Sequence, residues 1–345
     1  MTVATEAEKN AFLKSFRDPI KQSELFVSTT GYETREDELI YKKRGWHDKG
    51  FVDVHELDIP IVITPSATLN GEYTPVGSES YTGKRIEPLY NKLVMNISAE
   101  EFDKYATYRE DGIKRFINDK KKVITDHLQM FVHNQRNEAL TGEIVQSVKG
   151  LDGKFSAVTL SFGSAIVSGG QICNIADANV LDLQYYAFLE VKRRERRLVT
   201  GKFIQPSHTV ILCGTAAFDE FMKRASAQTD NNPWRFDEAT GDLFLMGYRH
   251  VNAQGDFTRI NAKGSTTLKQ AVLPKEILMI DTVNTKTDFR WLKISSTNNV
   301  NMKNVLFYLQ LLENEDNTAW KLQMRAKPLP VIDTKAMLKM TVLNA

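Results

Sequence analysis

Two cysteines in 345 residues leave no material for a disulfide framework or a thiolate metal site. Cys173 and Cys213 stand far apart in sequence, in neither redox nor zinc spacing, and read as reduced, packed thiols of a cytoplasmic product. Charge of one sign is also missing. Lysine and arginine total 45 against 43 acids, a net +2, so the chain as a whole carries no field that would gather nucleic acid. Its apolar runs are short, as at Ile277–Ile280, far below the roughly 20 residues that span a bilayer, so no membrane partner is expected. The stretch Met1–Lys9 has no apolar signal core, which speaks against secretion. Internal repeats and low-complexity tracts are absent as well. What remains is an ordinary globular composition, 42% hydrophobic and 26% charged, on a chain long enough to bury a sizeable core.

Residues 1–57 are charged and mixed, with apolar residues set singly (Phe12, Phe16, Phe26), and read as an extended arm ordered by lying on something else. Ile59–Ile63 reads as a strand. Thr64–Gly83 then has no core periodicity, and a second strand runs from Lys84 to Ile97, where Leu93, Met95 and Ile97 alternate. Together they predict a long hairpin with a polar tip. Ser98–Glu101 fits a capping box. The helix it opens should bend or break at Gly112. Ile113, Phe116, Ile117, Ile124, Leu128 and Phe131 carry a helix onward to Thr141, stopped by Gly142. Residues 143–176 suggest short strands and turns. A second helix is expected over Asp177–Leu198, with Leu181, Tyr185, Phe188 and Leu189 as its buried stripe. Val210–Gly214 reads as a strand running into a helix at Ala216–Ala225. Leu243–Tyr248, Ile277–Val283, Phe289–Ile294, Val305–Leu312, Trp320–Arg325, Lys327–Asp333 and Ala336–Leu343 read as extended segments. Helices and strands do not alternate regularly, so the class is α+β.

The chemistry-bearing patterns are incomplete. Gly77–Lys84 approaches a phosphate loop, but Ser78 stands at the first glycine position and Arg85 replaces the hydroxyl that would hold Mg²⁺. His127 and His133 share a helix about 120° apart, too far round to bind one metal together. Phe162-Gly-Ser-Ala lacks a nucleophile elbow, and Asp237–Asp242 lacks the oxygens of a calcium loop. No catalytic, metal or cofactor site is predicted, although scattered carboxylates could still assemble one in space. The one charge cluster is Lys192, Arg193, Arg194, Arg196 and Arg197. With Glu190 and Glu195 interleaved, it reads as a solvated or subunit-facing surface ahead of a DNA-facing one.

The order of segments resembles the Hong Kong 97-type capsid fold of tailed phages. Sequence detail is similar to the lambda-type major capsid protein E family. The resemblance is carried by Glu72–Pro75 with Gly83–Pro88, by Asp182–Tyr186, by His208–Phe218, by Leu273–Asp281 and by Met324–Asp333. Asn284–Leu311 has no counterpart in it. The resemblance implies an N-terminal arm (1–57), an E-loop hairpin (58–97) and a P-domain with a spine helix (98–176). An A-domain (177–312) and return strands of the P-domain (313–345) would follow. It also implies a non-enzymatic subunit of an icosahedral virion head, assembled in the host cytoplasm as hexamers and pentamers around DNA held without sequence specificity. Its partners would be copies of itself, a portal, a separate scaffolding protein (the arm is too short to contain one) and, in some heads, a decoration protein. Intersubunit contacts would fall on the E-loop, at Pro65, Leu69, Gly71, Tyr73, Pro75, Tyr81, Gly83, Lys84 and Arg85. A tail tube or baseplate protein, or an encapsulin-like compartment shell, are the rival assemblies. A long polar hairpin has little to pack on in its own subunit. Deleting Leu69–Thr82 is therefore expected to leave a folded chain that no longer assembles. The measurement is electron microscopy of the deletion variant beside the intact protein, and normal particles would refute it.

Overall fold

The computed structural model describes Ala7 and residues 35–41, 43–58, 80–98, 100–101, 104, 109–150, 153–163, 165–200, 205–227, 233–253, 255–261, 263–283, 287–294, 307–313 and 319–343. The strands expected at Ile59–Ile63 and much of the arm lie outside them.

The second half of the expected arm belongs to the body of the subunit. Helix α1 (Arg35–Ile40) buries Leu39, Ile40 and the following Tyr41 in the core. Strand β1 (Lys43–His47) pairs in parallel with β15 (Asp288–Leu292), which in turn pairs with β18 (Pro328–Val331). Three successive large apolar side chains, Leu39, Ile40 and Tyr41, are enough to anchor this stretch within its own chain. The segment without a counterpart in the resemblance thereby supplies the arm's partner strand.

The hairpin is β2 (Val52–Asp58) against β3 (Ser80–Ile86), antiparallel from Val52↔Ile86 to Asp58↔Ser80. The ladder thus begins before Ile59. Ser80–Gly83, expected to lie in the aperiodic stretch, form part of it. The expected Lys84–Ile97 strand is two: after β3 the chain breaks at Glu87–Tyr90, around Pro88, and resumes as β4 (Asn91–Ser98) in a different sheet, beside β17 (Ala319–Ala326) and β16 (Phe307–Glu313). Proline lacks the ladder N–H and favours such a break.

Ser98 Oγ accepts from the Glu101 amide at 3.1 Å, the first bond of the expected capping box, whereas the Glu101 carboxylate pairs with Lys120. The long helix α2 (Arg109–Ala139, 31 residues, about 46 Å) runs through Gly112 unbroken. A glycine inside a helix costs only about 1 kcal/mol against alanine, small beside the packing of eight turns. Phe116, Ile124, Leu128 and Val132 are buried along one side, and Gly142 at φ +92° ends the element.

A seven-stranded mixed sheet carries the rest, in the order β7 (Val167–Gln171), β19 (Met337–Thr341), β14 (Glu276–Asp281), β8 (Thr209–Cys213), β11 (Tyr248–Asn252), β10 (Asp242–Leu245), β9 (Trp234–Asp237). The span Leu243–Tyr248, read as one strand, is a hairpin. Met246 (φ +45°) and Gly247 (φ +94°) turn it in the doubly left-handed geometry that matches strand twist. The return block 313–345 is also divided: β17 joins β4, whereas β19 lies inside the large sheet, with β7 from the expected P-domain at its edge. Two smaller pairs, β5 (Glu143–Lys149) with β6 (Phe155–Ser161) and β12 (Asp256–Ile260) with β13 (Thr266–Gln270), complete the described strands.

The central strands are buried on both faces. Val210 and Leu212 join the core that holds α2, whereas Ile211 and Cys213 face a second core under α3 (Asp182–Thr200) and α4 (Thr215–Ser226). That is why Thr209–Cys213 reads as an unbroken apolar run. Gly214, between β8 and α4, is packed so closely that a Cβ there would lie 1.9 Å from the Leu273 carbonyl oxygen. Helix α3 starts five residues later than expected. Arg224 of α4 holds the preceding loop open, donating to the carbonyls of Ile175 (2.7 Å), Asp177 (2.8 Å) and Val180 (2.7 Å) and to Asp182 (3.0 Å). Tyr185 and Leu189 are buried as expected. Leu181 precedes the helix, and it and Phe188 lie on the open side, which corrects their assignment to the stripe.

In the second core His250 is enclosed by Tyr185, Phe221 and Trp234, its Nε2 3.0 Å from the Tyr185 hydroxyl. Burial pushes its pKa down from 6.5 to about 3. The folded chain keeps His250 neutral while the unfolded chain protonates it, so its contribution is whole above pH 6.5 and is lost as pH falls towards 3. His250→Gln is expected to flatten that acid limb in urea midpoints measured from pH 7 to pH 4, and an unchanged slope would refute the assignment.

Candidate assembly surfaces

Among the described residues, the β2–β3 ladder is fastened to the core at its base. Val52 and Ile86, a cross-strand pair, are both buried in the main core. Beyond them the two strands pair with each other and with no further described strand. Where the chain leaves the hairpin, the Leu89 amide donates to Gln146 Oε1 at 2.7 Å. The buried Lys327 ammonium lies 3.2 Å from the Glu87 carboxylate and 4.9 Å from the centre of the Tyr90 ring. On the entering side the Lys293 amide donates to the Lys49 carbonyl at 3.1 Å.

Of the expected contact residues, Pro65, Leu69, Gly71, Tyr73 and Pro75 lie outside the described residues. Tyr81 and Gly83 stand in β3 opposite Leu57 and His55. Lys84 and Arg85 are exposed. The Arg85 guanidinium stacks 3.9 Å from the Phe51 ring centre and its Nε lies 3.3 Å from Asp53 Oδ1. Gly83–Arg85 therefore sit in a strand ladder, without the strand-to-helix turn that a phosphate loop needs.

The basic cluster occupies the last turns of α3. Lys192 pairs with Glu195 at 2.9 Å, and Arg193 with Glu190, which also accepts from the Tyr248 hydroxyl at 2.8 Å. Arg194 is exposed, and Arg196 and Arg197 continue the helix. Two of the five cations are thus engaged within the subunit. Along α3 the same exposed side carries Leu183, Phe188 and Val191, with Leu181 exposed just before the helix. Among the described residues no three histidine, cysteine or carboxylate side chains gather into a metal-binding group.

Sequence reasoning missed a polar junction at the end of α2. Asn134 and Asn137 donate to the carbonyls of Thr258 (3.1 Å) and Asp256 (3.0 Å), and Arg259 bridges Glu138 (2.5 Å) and Glu143 (3.0 Å). Burial raises the Glu138 carboxyl above its ordinary pKa, while the Arg259 guanidinium pulls it back. A run of Asn, Gln, Arg and Glu on a helix reads as solvated, so no sequence signal marked it.

A separate two-stranded ladder, a long helix and a two-faced mixed sheet, in this chain order, are the parts of the Hong Kong 97-type fold of phage capsid subunits. Two solved structures are similar to it over nearly their whole lengths. One is assigned as the capsid protein of a prophage of Escherichia coli CFT073 (14% identity, TM-score 0.53, 99% of this chain and 100% of that one). The other is from the capsid of cyanophage A-1(L) (10% identity, TM-score 0.50, 92% and 95%). No curated protein sequence matches significantly. The model of the phage major capsid protein E family matches residues 32–342, and the chain belongs to that family. Its function is therefore capsid formation, and it is a component of the virion.

If the hairpin is rooted in the core but free above it, substitutions should divide along that line. Ile86→Ala is expected to cost about 2–4 kcal/mol of subunit stability, the usual range for a truncated buried aliphatic side chain. Lys84→Ala should change it by less than about 0.5 kcal/mol, as exposed substitutions do, and Arg85→Ala by about 1 kcal/mol, because the guanidinium stacks on Phe51 and pairs with Asp53. Urea unfolding of unassembled subunit measures all three.

Proposed function

We propose that this subunit forms hexamers and pentamers that close an icosahedral head around DNA, with the hairpin and the N-terminal residues as its reach onto neighbouring copies. The observation that supports this best is the β2–β3 ladder, at least seven residues long per strand, whose only described packing is at its base. A two-stranded ribbon is marginal by itself in water and gains stability from a surface to lie on. Neighbouring subunits supply one in a shell. In this reading the E-loop contacts are Pro65, Leu69, Gly71, Tyr73, Pro75, Tyr81, Gly83, Lys84 and Arg85. The spine helix with the β4–β17–β16 sheet corresponds to the P-domain, and the seven-stranded sheet with α3 and α4 to the A-domain.

The net charge of +2 suits the same reading, since copies of a near-neutral subunit repel one another little. The subunit works without catalysis, a portal and a separate scaffolding protein direct its assembly in the host cytoplasm, and a decoration protein is compatible with the finished shell. Negative-stain electron microscopy of the purified protein, made with and without its neighbouring phage genes, tests this. Closed isometric shells or six- and five-fold rings are expected. Persistent monomers in both preparations would overturn it, and regular tubes of constant bore would point to a tail component.

A further inference from the structure

The outer side of α3 sets large apolar side chains among the exposed Gln184 and Glu195, where a solvated helix would be polar throughout. Leu181, Leu183, Phe188 and Val191 are 61%, 58%, 40% and 51% exposed, while Tyr185 and Leu189 on the opposite side are buried. At 100° per residue Leu183, Phe188 and Val191 fall within one arc of about 140°. The helix is therefore already docked by one face and presents a second apolar face outward. Contiguous exposed apolar surface of this kind marks an interaction site.

The two ends of the helix carry different chemistry. Its start is tied to α4 through Asp182 and Arg224, and beside that junction lies an open concavity of about 390 Å³. Ala176, Ala216 and Leu343 give it apolar lining, and Asp219, Glu220 and Lys223 give it polar lining. Glu220 and Lys223 pair with each other, and Asp219 is exposed. The other end, from Lys192 to Arg197, lies about 15–22 Å along the axis and is basic, with Arg194 exposed beyond the engaged Lys192 and Arg193.

We propose that the outer face of α3 is a head-to-tail contact with a second copy of this chain, its apolar stripe and Arg194 end meeting the Asp219-edged concavity of the next copy. The inference rests on the shell-forming function proposed above and names a surface for it. Charge complementarity chooses the occupant: each copy bears the exposed Arg194 towards the end of α3 and the exposed Asp219 on α4, beside the start of α3. Two different complementary patches on one subunit make a heterologous contact, which closes into a ring when the rotation allows. The acids interleaved in the basic run and the apolar stripe beside it fit protein better than DNA.

The test is charge reversal and its rescue in the full chain, made with its neighbouring head genes. Arg194→Glu and Asp219→Arg are each expected to cut the yield of sedimenting shells about tenfold or more, the scale of a like-charge contact placed in an interface. The double variant should recover most of the yield. Phe188→Ser, on the stripe, should lose shells without recovery. Circular dichroism of all variants should match the parent, because the three side chains are exposed. Parent-like shells from the single variants, or no recovery in the double variant, would overturn the inference and leave the shell function standing. Absence of shells from the parent itself would overturn the shell function and this inference with it. Normal empty shells that fail only to retain DNA would assign the basic end to nucleic acid and overturn it equally.

Discussion

The described structure depends on one polar junction, where the last turns of α2 sink into the subunit. Arg136, Asn137 and Glu138 are all buried there. Burying such groups without partners would cost several kcal/mol, so their bonds dictate what lies next to the helix. Asn134 and Asn137 take the backbone of β12, Arg259 takes Glu138 and Glu143, and the Tyr41 hydroxyl takes the Arg136 carbonyl at 2.8 Å. One helix end thereby fixes α1, the start of β5 and the β12–β13 ribbon. The Arg136 guanidinium packs 4.4 Å from the Phe289 ring centre, which brings β15 into the same junction. Hydrophobic packing holds the long helix against the body, and these directional bonds add a second constraint on its register.

The large sheet follows a different rule. Its central strands are apolar on both sides, so the sheet separates two cores and transmits position between them. On one side lies α2 and on the other α3 and α4. Arg224 then locks the loop before α3 to α4 through four bonds, and Gly214 lets the β8–α4 turn approach the Leu273 carbonyl more closely than any side chain would permit. The outer face of α3 is consequently presented by a rigid support, which a reproducible contact between copies requires.

Patterned segments were legible in the sequence. Phe116, Ile124 and Leu128 declared α2, Gly142 its stop, and the apolar Val210–Cys213 the central strand. The errors share one cause. Gly112 was read as a break because local propensity was weighed without the packing that overrides it. The α3 start was misplaced because Arg224, 47 residues after Asp177, decides it. The arm boundary fell too late because the partner of β1 comes from Asp288–Leu292, far along the chain. The division of the return strands was likewise hidden, since Met337–Thr341 reads as a strand in either sheet. Local periodicity shows that a segment is a strand, while its partner is a long-range fact. For the assembly surfaces, the presence of a hairpin was legible, but its root at Val52 and Ile86 and the outward stripe on α3 were not. A helix with apolar residues on two sides gives no sign of which side the body takes.

This ambiguity has a physical origin in what the chain must build. A subunit that stands alone can satisfy its apolar residues internally, and its pattern then points to one core. A subunit that closes a shell needs two sets, one for folding and one for its neighbours, and nothing in residue type separates them. Charge can separate them. Lys192 and Arg193 are answered by Glu195 and Glu190 of the same helix, so they serve the fold, whereas the exposed Arg194 lies beside Leu183, Ala187 and Val191 on the outward side. Internal ion pairs of this kind also lower the net charge of the helix end, which limits repulsion when many copies converge. An outward apolar stripe between a partly neutralised basic end and an acid-edged hollow is weakly attractive at any single contact. That suits closed shells, because contacts individually too weak to trap a misplaced subunit add over a ring, and the closed assembly is held by their sum.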